Sequence, residues 1–342
     1  MNLWSKNYTK AELMKHIGDI SAVCGVRRAI LDDGPGRGMR VFDVDTGSGL
    51  QFTVLPDRGM DISLCQYKNI PIGFISKTGH VAPGLCTYGG RNFLRYFTGG
   101  LLTTCGYTHQ GANCTDQGQP LALHGYATML VSDNTSAQEY WEGDSYIMRI
   151  QGMMREAAMF GENLILTRTI EVTAGESKIK ITDKLENAGF EAQPMMMLYH
   201  FNFGHPLVGP STRLVAPNRK AVIPRDAEAT KGLERADLFE SPTHRYAEQV
   251  FYHDLIADEK GMVSAGLANP DLGIAVHVKY NQDALPYMIQ WKQMGEGDYV
   301  CGLEPATNKP EGRDVARKSG ELGFIQPGEI KEFNLELSFE GI

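Results

Sequence analysis

Arg40-Val41-Phe42-Asp43-Val44-Asp45-Thr46-Gly47-Ser48-Gly49-Leu50-Gln51-Phe52-Thr53-Val54-Leu55 holds two runs in which apolar and polar residues alternate, joined by a glycine-serine turn. A period of two marks a strand with one buried face, because successive side chains point to opposite sides of a sheet. The stretch therefore reads as strand, turn, strand. The same pattern returns at residues 145–152, 163–172, 178–185, 274–279 and 332–339. Turn chemistry separates these runs, as in Asp32-Asp33-Gly34-Pro35-Gly36 and Gln326-Pro327-Gly328-Glu329. Many short strands with almost no helix between them exclude alternating β/α units and predict an all-β antiparallel sandwich.

Upstream of that stretch the pattern differs. Thr9-Lys10-Ala11-Glu12 forms a capping box, and Leu13, Ile17 and Ile20 follow at helical spacing. A short helix near residues 9–18 is expected, with residues 1–22 acting as a cover on the sandwich. Downstream, residues 76–120 are rich in glycine and poor in alternation, which predicts long loops lying over one sheet face. No fixed-period repeat and no low-complexity linker interrupts the chain, so a single domain over residues 1–342 is expected.

The composition supports a large core: of 342 residues, 42% are hydrophobic and 22% charged. A net charge of −8 argues against binding nucleic acid or an anionic membrane, both of which need a basic surface. No basic segment precedes an apolar leader, and no run is long enough to span a bilayer, so a cytoplasmic protein is expected. The six cysteines form no C-x-x-C pair and match no zinc module, as expected of buried thiols in a reducing compartment. The glycine-rich 34–38 segment precedes no helix. It reads as a turn rather than a phosphate cradle.

Three segments place reactive side chains on short, turn-rich sequence. In Leu121-Ala122-Leu123-His124-Gly125, glycine lets the backbone turn while the imidazole projects. In Tyr199-His200-Phe201-Asn202-Phe203, alternation puts His200 and Asn202 on one face and the aromatics on the other. A face carrying His and Asn is costly to bury without partners, and a ligand is one such partner. In Val300-Cys301-Gly302-Leu303-Glu304-Pro305, proline after the glutamate predicts that Glu304 sits at a strand end. Standing alone, the His124 and Glu304 segments read first as ordinary structural residues, a hydrogen-bonded histidine and an exposed strand-end glutamate.

Together, and in this order, the Leu-His-Gly, His-Phe-Asn and Leu-Glu-Pro elements resemble the aldose 1-epimerase family of the galactose mutarotase-like superfamily. Closer still is the branch of that family catalogued as a domain of unknown function. That likeness extends through Leu55-Pro56-Asp57-Arg58-Gly59-Met60-Asp61-Ile62, Gly99-Gly100-Leu101-Leu102-Thr103-Thr104-Cys105-Gly106 and Gln290-Trp291-Lys292-Gln293-Met294-Gly295-Glu296-Gly297. The resemblance implies a galactose mutarotase-like supersandwich and a small-molecule sugar substrate, with neither cofactor nor metal. It implies Glu304 as base, His200 as acid and His124 as a hydrogen-bond partner near the ring oxygen, all meeting in one cleft. The chain departs from the neutral-hexose enzymes where Leu-His-Gly-Gly reads Leu-His-Gly-Tyr, and where Pro-Asp-Arg-Gly-Met-Asp and Gln-Trp-Lys have no close counterpart. Arg58 and Lys292 lie in those departing segments. They suggest a sugar with an anionic group or unusual configuration, unless each pairs with a carboxylate such as Asp61 or Glu296. Asp61 and Asn202 are further candidate sugar contacts, and Trp291 is a candidate stacking surface or a core residue.

Overall fold

The computed structural model describes residues 1–342 and is built from two large antiparallel sheets packed face to face. The larger has twelve strands, ten of them on its main path. In chain order these ten are β1 (Gly25–Ile30), β2 (Arg40–Asp45), β3 (Leu50–Leu55), β4 (Asp61–Tyr67), β5 (Leu102–Tyr107), β6 (Gln193–Gly204), β7 (Arg219–Pro224), β8 (Gln249–Leu255), β9 (Tyr287–Gly295) and β10 (Asp298–Ala306). Across the sheet the order runs β7-β8-β9-β10-β6-β5-β4-β3-β2-β1. The second sheet has eight strands, including Ser145–Ala157, Asn163–Thr173, Lys178–Asn187, Ile274–Asn281 and Ile330–Gly341. The alternating runs read from the sequence fall on these strands.

The main core lies between the sheets, where Tyr199, Phe201 and Phe203 of β6 meet residues such as Leu166, Ile181, Leu335 and Leu337 of the second sheet. A smaller apolar cluster forms on the other face of the large sheet. There Val81, Phe93, Tyr96 and Phe97, from the loop before β5, cover Leu198, Val250, Tyr252, Ile289 and Ala306. Loops from the 76–120 region thus cover one sheet face, but that region also contains β5, a central strand. All six residues of β5 are buried, so it has no polar face to alternate with.

Two local expectations are corrected. The N-terminal helix spans only Lys10–Leu13, with the Thr9–Glu12 capping box formed as read. Leu13 alone is buried there while Ile17 and Ile20 are only partly covered, and a short helix without an apolar face to bury does not propagate. Glu304 is not the last residue of its strand, since β10 continues through Pro305 to Ala306. Pro305 is tolerated because the β6–β10 pairing is interrupted there. Leu198 pairs with Ala306 and Phe201 with Leu303, but the positions between them do not pair.

Candidate functional site

That interruption builds the centre of the site. In the register set by Leu198–Ala306 and Phe201–Leu303, His200 of β6 faces Glu304 of β10 across adjacent strands. Both side chains point away from the inter-sheet core. Nε2 of His200 lies 3.2 Å from Oε1 of Glu304, close but not aligned as a hydrogen bond. Gly302 makes the approach possible, because a Cβ there would fall 2.6 Å from the Glu304 carboxylate and 3.1 Å from the His200 ring.

His124 arrives from a loop. Its backbone is left-handed, with φ 63°, and is tied at both ends: His124 N donates to Gly111 O and Gly106 N donates to His124 O. Gly125 follows because a Cβ at that position would meet His109 O at 2.1 Å. A non-glycine residue at positive φ stores strain and persists only where its surroundings hold it. The His124 and His200 rings are 5.9 Å apart, with Phe93 against His124 and Phe97 against His200.

His124, His200, Glu304 and Trp291 line one cavity of about 350 Å³, together with Phe93, Phe97, Arg91, Arg225, Glu248 and Val250. The volume suits a small ligand, and apolar walls around a few polar groups are the usual make-up of such sites. Nδ1 of both His124 and His200, and Oε1 of Glu304, are buried without a hydrogen-bond partner. Burial pushes the Glu304 carboxyl up to about 8, helped by the nearby Glu248 carboxylate and opposed by Arg225. Burial likewise pushes His200 and His124 down to about 3, with His124 adding to the lowering of His200 and His109 to that of His124. At neutral pH Glu304 therefore keeps its proton and both imidazoles are neutral. No group of three or more His, Cys, Asp or Glu is arranged to hold a metal ion.

The other sequence candidates lie elsewhere. Arg58 is buried away from the cavity and donates to Thr128 O, Val81 O, Tyr96 O and Thr128 Oγ1, so its guanidinium ties three loop segments together. Lys292 follows Trp291 on β9 and so points to the opposite face, where its ammonium lies 2.8 Å from Glu240. Glu296 contacts His244 instead. Neither cation reaches the cavity, and the expectation of an anionic sugar drawn from them falls. Asp61 accepts from Thr104 N and lies 3.4 Å from Arg168 between the sheets. Asn202 shares the His200 face, but its amide donates to the His200 carbonyl at 2.8 Å rather than lining the cavity. Of the arginines that do line it, Arg91 comes from the 76–120 loop region and Arg225 lies outside every segment that stands out in the sequence. So does Glu248.

Residues 36–339 match the family model described as Domain of unknown function (DUF4432). No curated protein matches the sequence. Among solved structures, the chain is similar to a protein of Klebsiella pneumoniae provisionally described as an aldose 1-epimerase. The TM-score is 0.87 and the identity 24%, over 92% of this chain and 83% of that one. It is also similar to a galactose mutarotase-like protein of Clostridium acetobutylicum, with TM-score 0.65 and 14% identity over 94% and 100% of the two chains. A third is the galactose 1-epimerase of Lactobacillus acidophilus, with TM-score 0.60 and 13% identity over 93% and 99%. At such identities the likeness establishes the fold. The chain belongs to the DUF4432 family and has the galactose mutarotase-like β-sandwich fold.

Proposed function

We propose that this protein is an aldose 1-epimerase-like isomerase that interconverts the anomers of a small sugar by acid–base ring opening. The observation that carries the reading is the buried His200–Glu304 contact, opening with His124 onto a cavity of sugar size. At neutral pH the pair holds one proton, on Glu304, and the 3.2 Å separation puts His200 within reach of it once a bound sugar draws the two groups into line. When it sits on His200, Glu304 is a carboxylate able to accept the anomeric hydroxyl proton. The C1–ring-oxygen bond then breaks with its electron pair passing to the ring oxygen, which takes the His200 proton. The open-chain carbonyl rotates about its C1–C2 bond, and the same transfers in reverse close the ring on the other face. His124, whose ring lies beside that of His200, hydrogen-bonds the sugar near the ring oxygen in this reading. Each positioned acid or base of this kind contributes roughly 10²–10⁴-fold to the rate.

The test is magnetisation exchange between anomers by NMR, over a panel of neutral hexoses, pentoses, deoxy sugars, hexuronates and sugar phosphates. We expect at least one sugar to exchange roughly 10²-fold or more above its buffer rate. Saturable binding of a sugar without exchange of any panel member would replace the isomerase with a non-catalytic sugar-binding protein.

A further inference from the structure

One wall of the cavity is a chain of contacts that ends on the catalytic pair. Asp226 caps the helix Ala227–Lys231 by accepting from Ala229 N, and its other oxygen accepts from Arg225 Nε at 2.9 Å. Arg225 Nη2 donates to Glu248 Oε1 at 3.3 Å, and the Trp291 indole Nε1 donates to Glu248 Oε2 at 2.9 Å. The Trp291 ring then stands edge-on to His200, with centroids 5.3 Å apart at 80°, and edge-on to Phe97 at 6.3 Å and 71°. Arg225, Glu248, Trp291, His200 and Glu304 all line the cavity. Tryptophan offers one donor and no acceptor, so Glu248 is what fixes how the indole turns.

We infer that Glu248, held by Arg225, is a positioning residue that locks the Trp291 ring against His200 and places a negative charge on the wall of the cavity that Glu304 lines. The inference rests on the isomerase reading for its kinetic consequences, but not for its electrostatic one. The charged and titratable groups around Glu304 are His200 on β6, Cys105 on β5, Cys301 on its own strand, Tyr252 on β8, and Arg225 with Glu248 on the cavity wall. Of these, Glu248 raises and Arg225 lowers the pH at which Glu304 ionises, while burial remains the largest cause. A carboxylate at Glu248 therefore does two separable things, one through its charge and one through its hydrogen bond.

Two substitutions and a control separate them. Glu248→Gln keeps an oxygen for the indole and removes the charge, so the high-pH limb of kcat/KM, where the pair loses its one proton, should move to lower pH with KM little changed. Glu248→Ala removes both, so the limb should move likewise and KM should rise several-fold. Trp291→Phe should raise KM and leave the limb in place. Independently of any sugar, the Glu304 carboxyl can be titrated by ¹³C NMR in the wild type and in Glu248→Gln. The variant should ionise at lower pH by more than about 0.3 unit, a shift on the scale of one charge acting through a partly screened site. An unchanged Glu304 titration would overturn the charge role, and an unchanged KM in Glu248→Ala would overturn the positioning role. If no sugar exchanges in the wild type, the isomerase reading fails while the titration still decides the charge role of Glu248.

Discussion

Strand β6 carries two buried polar clusters back to back, and they differ in how their charges are balanced. On the inter-sheet side, Tyr199 donates to Asp183 at 2.8 Å, and Arg168 forks onto both oxygens of Asp183 at 2.9 and 2.6 Å. The remaining Arg168 nitrogen donates to Thr104 Oγ1 and Gly59 O and approaches Asp61. Every part of that guanidinium has a partner. One residue along, His200 faces the cavity, where its Nδ1, that of His124 and an oxygen of Glu304 have none. Buried polar groups are normally matched because leaving them unmatched costs free energy. The matched cluster is architecture, and in the proposed function the unmatched one takes a ligand as its partner. A count of buried charged residues would not separate them, whereas the partners of the central groups do: Arg168 and Asp183 are fully matched, although Asp61 Oδ2 beside them is not.

The largest effect that probes this contrast should come from the matched side. Arg168→Met leaves Asp183 and Asp61 buried without their cation, and we expect a loss of roughly 3–5 kcal/mol in denaturant unfolding. A loss under about 1 kcal/mol would mean that the inter-sheet cluster is not held together as described.

The unmatched side should respond with the opposite sign. Glu304 has its folded-state value raised to about 8 from an ordinary 4.5, so the fold prefers its protonated form. Its contribution to stability is present below pH 4.5 and is lost as pH rises through 8. Glu304→Gln cannot ionise and escapes that loss. The variant should match the wild type near pH 4.5 and exceed it by roughly 1–3 kcal/mol at pH 9, read from thermal or denaturant melts. Equal stability at both pH values would show that the Glu304 site is better compensated than its contacts indicate.

The same contrast explains what the sequence could and could not reveal. Strands with one wet face announce themselves by alternation, and the second sheet was readable for that reason. The strand β5, buried on both faces, was not. His124, His200 and Glu304 stood out because each is a reactive residue beside glycine, an aromatic or proline in a short motif. Arg58 and Lys292 stand out on the same ground but lie away from the cavity, since charge in a distinctive segment does not say which way a side chain points. Alternation held the answer for Lys292: with Trp291 on the cavity face, its neighbour has to face the core. Arg225 and Glu248 had no such signal. They come from the ends of two edge-side strands and meet Trp291 only through the order in which those strands pair.

The measurement that tests the central claim most directly is anomer exchange by wild type and Glu304→Gln side by side, on the best sugar of the panel, from pH 5 to 9. If Glu304 is the base and His200 the acid of a one-proton pair, the wild type exchanges anomers with a pH-dependent rate. The Glu304→Gln protein, folded and at least as stable, should then lose roughly 10²-fold or more at every pH. Exchange by Glu304→Gln at the wild-type rate would contradict the account, whatever the stability of the variant.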